Sequence, residues 1–156
     1  MIQANNYMNI NRIEFSVTNA CTSRCKHCSV GNVPKEMKTS IDRNVAVSIV
    51  KELSRKYKIK SVMTFGGEPL LYADTTCAIH KTATENGILN RQVITNGYFS
   101  KNEEQIIPVV RNLKESSINS LLLSIDAFHN EHIPIEKAYL FAKAVCAENI
   151  SGKEPD

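Results

Sequence analysis

Apolar residues alternate at Ile13, Phe15 and Val17, and the run Asn11–Val17 predicts a half-buried strand. Further on the period lengthens. Ile41, Val45, Ile49, Leu53 and Tyr57 recur every fourth residue, which predicts a helix over about 41–56 with one apolar stripe, capped by Thr39-Ser40. Lys60–Phe65 reads as a second strand running into Gly66-Gly67-Glu68-Pro69. A second helix follows over Asp74–Asn86, stopped by Gly87. Arg91–Thr95 is a third strand, ended by Asn96-Gly97. Ser100 and Glu103 form a capping-box pattern for a third helix to about Glu115, in which Pro108 predicts a kink or a late start. Three consecutive leucines make Ser120–Ile125 a buried strand, followed by a loop over Asp126–Pro134 and a helix over Ile135–Glu148. Ser151–Asp156 reads as a disordered tail behind a single domain over residues 1–150.

Four strand–helix units in alternation define an α/β fold, a parallel sheet with helices on its outer face. Such sheets bind ligands at the carboxyl ends of their strands. The four unusual stretches all fall there: the cysteine loop Cys21–Cys28, Gly66-Gly67-Glu68-Pro69, Thr95-Asn96-Gly97 and Ser124–His129. One rim carries every candidate for chemistry.

Composition narrows the setting. Apolar content of 42% and charged content of 22% are ordinary for a globular protein, and a net charge of +3 is too slight to argue for nucleic acid or a membrane surface. No apolar run reaches the length of a membrane span, and Met1–Asn6 lacks the charged and apolar regions of a signal peptide. Three of five cysteines cluster within eight residues, which fits a reducing, cytoplasmic setting with thiols held for metal rather than a secreted disulfide framework. Cys77 and Cys146, alone on predicted helices, read as buried apolar fillers. His129 and His132 read as solvent-exposed, and the basic run Lys51–Lys60 as a solvated face favoured by the helix dipole.

Cys21, Cys25 and Cys28, spaced C-x3-C-x2-C, allow one loop to present three sulfurs to one metal centre. A closed structural zinc site needs a fourth ligand, and His27 is the available one, though adjacent His27 and Cys28 reach one tetrahedral ion awkwardly. An iron–sulfur cluster on three cysteines instead leaves one iron open to a small molecule. Paired glycines at 66 and 67 permit close backbone approach to a ligand. Thr95 and Asn96 end one strand, and Ser124 and Asp126, alternate residues at another strand end, point the same way; Asp126 can equally cap the helix or loop behind it.

On these residues the chain resembles the radical SAM superfamily, from about Arg12 to Glu148. Cys21-x3-Cys25-x2-Cys28 after the first strand, with Gly66-Gly67-Glu68-Pro69 about forty residues later, is the specific combination. The resemblance implies a (β/α) barrel and a 4Fe–4S cluster on Cys21, Cys25 and Cys28. It further implies S-adenosylmethionine at the open iron, cleaved by an electron from an external donor to a 5′-deoxyadenosyl radical that abstracts hydrogen. The substrate is unspecified: a peptide, a protein or a small molecule. The resemblance places His27 near the adenine and assigns the methionine amino group to Gly66, Gly67 and Glu68. It makes Thr95 and Asn96 candidates for helping to hold the cofactor, and assigns the ribose or methionine carboxylate to Ser124 and Asp126.

A core of this family has six β/α units, whereas this sequence predicts four, a partial barrel. The leucine-rich fourth strand is then expected to expose an edge that a partner chain or an oligomer covers. The cofactor pocket is expected to stand open on one side. A zinc-binding β/α module and a non-catalytic cluster-binding remnant are the alternative readings.

Overall fold

The structure is a computed structural model that describes residues 9–150; the predicted tail 151–156 lies outside the described residues. Four strands, β1 (Arg12–Thr18), β2 (Ser61–Gly66), β3 (Asn90–Thr95) and β4 (Ser120–Leu123), form one sheet in the order β1-β2-β3-β4. Every pairing is parallel, with Ile13 opposite Val62, Thr64 opposite Val93 and Val93 opposite Leu121. Parallel neighbours need a crossover between them, and helices α1 (Arg43–Lys56), α2 (Ala73–Glu85), α3 (Ile106–Glu115) and α5 (Ile135–Ala147) follow the four strands in turn. A four-residue helix, α4 (Ala127–Asn130), sits in the loop after β4.

Strand alternation decides which residues the helices cover. Ile13, Phe15 and Val17 of β1 and Val62 of β2 pack with Ala46 and Val50 of α1 and Ile79 and Ala83 of α2. Val93 of β3 packs with Val110 and Leu113 of α3 and Phe141 of α5, with Leu121 and Leu123 of β4 at the margin. These two clusters hold the helices on one face. The residues between, such as Phe65, Ile94 and Leu122, point to the other face.

Several local expectations shift. Ile41, Ile49, Leu53 and Tyr57 of the predicted stripe pack against the core beside the fully buried Ala46 and Val50, whereas Val45 is 52% exposed. The cap of α1 is Asp42, whose carboxylate accepts the amides of Asn44 and Val45, rather than Thr39-Ser40; those two residues instead pair back onto the end of β1. Ser100 and Glu103 form no capping box: Ser100 Oγ accepts the Asn102 amide, and Asn102 caps a 3-10 turn over Glu103–Gln105. The α-helix then starts late, at Ile106, so Pro108 lies in its first turn, where a missing N–H costs no helical hydrogen bond. Gly87 ends α2 as expected, with φ +72°. β4 stops at Leu123 and is only half-buried, because among the described residues no strand or helix covers its second face; Leu122 is 45% exposed. Cys146 is exposed rather than buried, since α5 buries Ala144 and Val145 beside it.

Candidate functional site

The root of the cysteine loop is built from backbone hydrogen bonds. Thr18 Oγ1 donates to the Thr39 carbonyl at 2.6 Å, and Asn19 and Thr39 exchange amide and side-chain contacts. Into this root presses the turn after β2: the Gly67 amide donates to Thr18 O at 2.6 Å and the Glu68 amide to Ala20 O at 2.8 Å. The glycine pair is what allows this. Gly66 sits at φ +134°, and a Cβ on Gly67 would lie 2.0 Å from the Ala20 carbonyl oxygen. The close approach is therefore to the protein's own backbone.

Glu68 is fully buried. Its Oε1 accepts the Leu70 amide at 2.9 Å and the Thr95 hydroxyl at 2.6 Å, and its Oε2 accepts the Asn96 amide at 2.8 Å. Burial raises the pKa of this carboxyl above the ordinary range, with the Thr95, Asn96 and Leu70 donors opposing. Asn96 passes the connection on, donating from Nδ2 to Thr22 Oγ1 at 3.2 Å and toward Cys21 Sγ at 3.6 Å. The ends of β1, β2 and β3 are thus tied into one unit.

Above this unit lies a cavity of about 250 Å³. Its wall includes all three loop cysteines together with Gly66, Gly67, Thr95, Asn96 and Ser124, so one concavity gathers residues from every strand end. All three thiols are free, and Ser23 Oγ lies 2.9 Å from Cys25 Sγ. Burial pushes the Cys21 thiol pKa up, and nearby Glu68 adds to the rise, so a metal there must displace a proton.

His27 lines the cavity while staying 46% exposed, its ring 4.9 Å from that of Phe128. Glu68 lies behind the wall rather than on it. Asp126 sits at the lip: beyond the end of β4 the alternation lapses, and its Oδ1 accepts the amides of Phe128 and His129 to cap α4. Those donors, the His129 amide first, hold its carboxyl below the ordinary range. His129 departs from expectation. Its side chain is only 17% exposed and lines the cavity, because the Asp126 cap turns α4 back toward the cysteine loop. A capping aspartate three residues before it is the available sequence signal.

The fold and site thus define a parallel β/α protein with a three-thiol cavity at its strand ends. The radical SAM superfamily model matches residues 15–147, and the chain belongs to that superfamily, whose cofactors are a 4Fe–4S cluster and S-adenosylmethionine. Curated relatives include GTP 3′,8-cyclase of Vibrio parahaemolyticus, 29% identical over 121 residues, covering 74% of this chain and 33% of that protein. GTP 3′,8-cyclase of Listeria monocytogenes is 31% identical over 122 residues, covering 75% and 34%. The chain therefore spans about a third of the length of these relatives. Among solved structures, a histidine-tagged "anSMEcpe with bound AdoMet" superposes with TM-score 0.63 at 18% identity, covering 92% of this chain and 42% of that one, a likeness of fold. Among the described residues no helix is long and apolar enough to cross a membrane.

Proposed function

We propose that this chain is the cluster- and cofactor-binding part of a radical SAM enzyme, a single partial core. The observation that supports this best is the cavity that Cys21, Cys25 and Cys28 share with the Gly66-Gly67 turn and the ends of β3 and β4. Three thiols on one wall suit a cluster with one open iron, whereas tetrahedral zinc would need a fourth ligand. When bound, the reduced cluster supplies the electron that cleaves S-adenosylmethionine to methionine and a hydrogen-abstracting 5′-deoxyadenosyl radical.

In this reading Cys21, Cys25 and Cys28 hold the cluster as thiolates. The Gly67 and Glu68 amides are already donated to Thr18 and Ala20, so the cofactor's ammonium group meets carbonyl oxygens at this turn. Thr95, Asn96, Ser124 and Asp126 supply polar contacts to ribose and carboxylate, and His27 lies against the adenine. Glu68 acts from behind by fixing Thr95 and Asn96. An external donor reduces the cluster. A further strand, from a partner or from elsewhere in a longer protein, covers the β4 edge and closes the cavity against water. The likeness to GTP 3′,8-cyclases extends over a third of their length, so we assign the radical-generating part of such chemistry and no substrate.

The test is anaerobic reconstitution with iron and sulfide, followed by a 5′-deoxyadenosine assay under reduction. The expected result is a brown protein that cleaves the cofactor. A colourless protein holding one zinc that is lost when Cys21, Cys25 and Cys28 are changed to serine would replace this reading with the zinc-module one.

A further inference from the structure

We propose that His27, Asp126 and His129 form a separate site for one divalent transition ion of the zinc type, across the mouth of the cavity. One ligand atom from each lies within 4.8 Å of the other two. His129 Nδ1 is 2.9 Å, and His27 Nε2 3.8 Å, from Asp126 Oδ2. In a tetrahedral zinc site with bonds of ~2.0–2.1 Å, neighbouring ligand atoms stand ~3.4 Å apart. The observed separations bracket that value, and the exposed His27 ring can close the difference by rotation.

Three features set this trio apart from neighbouring surface residues. His129 Nδ1 is buried and held 2.9 Å from Asp126 Oδ2, within hydrogen-bond distance. A metal ion here takes the place of the proton between the two atoms. Asp126 spends Oδ1 on two amides at 2.9 Å each, which fixes the carboxylate and leaves Oδ2 beside both imidazoles. The two lips are also tied together, by the Lys26–Glu131 ion pair at 3.2 Å and by His27 resting on Phe128. Two imidazoles and a carboxylate select a borderline transition ion over magnesium or calcium, and three protein ligands leave a position open.

The site has a consequence that rests on the proposed function. Both imidazoles line the cavity. An ion bridging them occupies the wall against which the cofactor's base lies, so zinc and S-adenosylmethionine exclude one another.

The experiment is equilibrium dialysis of the anaerobically reconstituted protein against Zn²⁺, with metals measured per chain. Expected is one zinc beyond the iron. His27→Gln and His129→Ala should each weaken binding at least by the ~10-fold that loss of an outer-shell partner alone costs. Because His27 is on an exposed loop, His27→Gln tests the site even if His129→Ala fails to fold. A Cys21→Ser/Cys25→Ser/Cys28→Ser chain should retain the same zinc affinity, which makes the site independent of the cluster. No zinc on the reconstituted protein, or unchanged affinity in His27→Gln, overturns the site. S-adenosylmethionine should raise the apparent zinc dissociation constant. If both bind with no mutual effect, the exclusion is wrong. If zinc binds and S-adenosylmethionine fails to bind even the zinc-free reconstituted protein, the metal site stands and the cofactor reading fails.

Discussion

Glu68 Oε2 accepts the backbone amide of Asn96 at 2.8 Å, joining the turn after β2 to the turn after β3 inside the protein. With Oε1 already holding the Leu70 amide and the Thr95 hydroxyl, the carboxylate satisfies three donors at once. Glu68→Gln keeps the shape and loses one acceptor. An amide nitrogen then faces a donor, and one buried group is left unpaired at a cost of ~1–3 kcal/mol. Denaturant unfolding should show that loss together with weaker cofactor binding, since Asn96 and Thr95 line the cavity. Unchanged stability would mean the network is not intact in solution.

Gly67 and Gly87 separate two reasons for being glycine. An alanine Cβ at position 67 meets the Ala20 carbonyl oxygen at 2.0 Å, and backbone cannot yield without moving the root of the cysteine loop. Gly67→Ala should destabilise by at least the ~1–3 kcal/mol of ordinary overpacking and lower iron loading with all three cysteines intact. Gly87 has nothing within 4 Å and is needed only for its positive φ, so Gly87→Ala should cost ~1–2 kcal/mol and leave iron loading alone. Equal iron contents in the two variants would contradict this division.

Much of this frame is readable from sequence because local rules and the fold agree. The alternation at Ile13, Phe15 and Val17 is the buried face of β1, and the cysteine spacing alone points to the wall of the cavity. What is illegible depends on partners distant in sequence. Val45 and Ala46 differ by one position, and only the packing against β1 and α2 selects Ala46 for the core. Glu68 carries no local mark of burial, since two of its three donors come from Thr95 and Asn96, a full β/α unit away. His129 reads as solvated until the Asp126 cap turns α4, a feature four residues long with no periodic pattern to announce it.

The outer edge of β4 has no strand partner among the described residues, and Leu122 stands 45% exposed beside it. Such an edge templates pairing with another chain, and a lysine on it is an effective block. The chain is expected to associate as its concentration rises, measurable by sedimentation velocity. Leu122→Lys should shift the distribution toward monomer without lowering the unfolding midpoint. Equal association in both proteins would place the contact elsewhere.

His80 makes the core sensitive to acid. It is fully buried on α2, with Nε2 2.8 Å from Thr64 Oγ1 of β2 and Nδ1 without a hydrogen-bond partner among the described residues. Burial lowers its pKa from 6.5 to about 3, so the ring is neutral in the folded protein at neutral pH. Between those two values the unfolded chain binds the proton and the folded one does not, so stability rises with pH through this window. The contribution is fully present above 6.5 and is lost as pH falls toward 3, on the order of 1.4 kcal/mol per pH unit while the unfolded ring is charged. Carboxylates with lowered pKa, such as Glu148, also lose stability in acid, so the difference between two proteins is the useful quantity. His80→Gln keeps a side-chain amide near Thr64 and removes the titration. Urea unfolding between pH 7 and pH 4.5 should show the wild-type midpoint falling more steeply than the variant's, and parallel profiles would rule out His80 as the acid-sensitive core group.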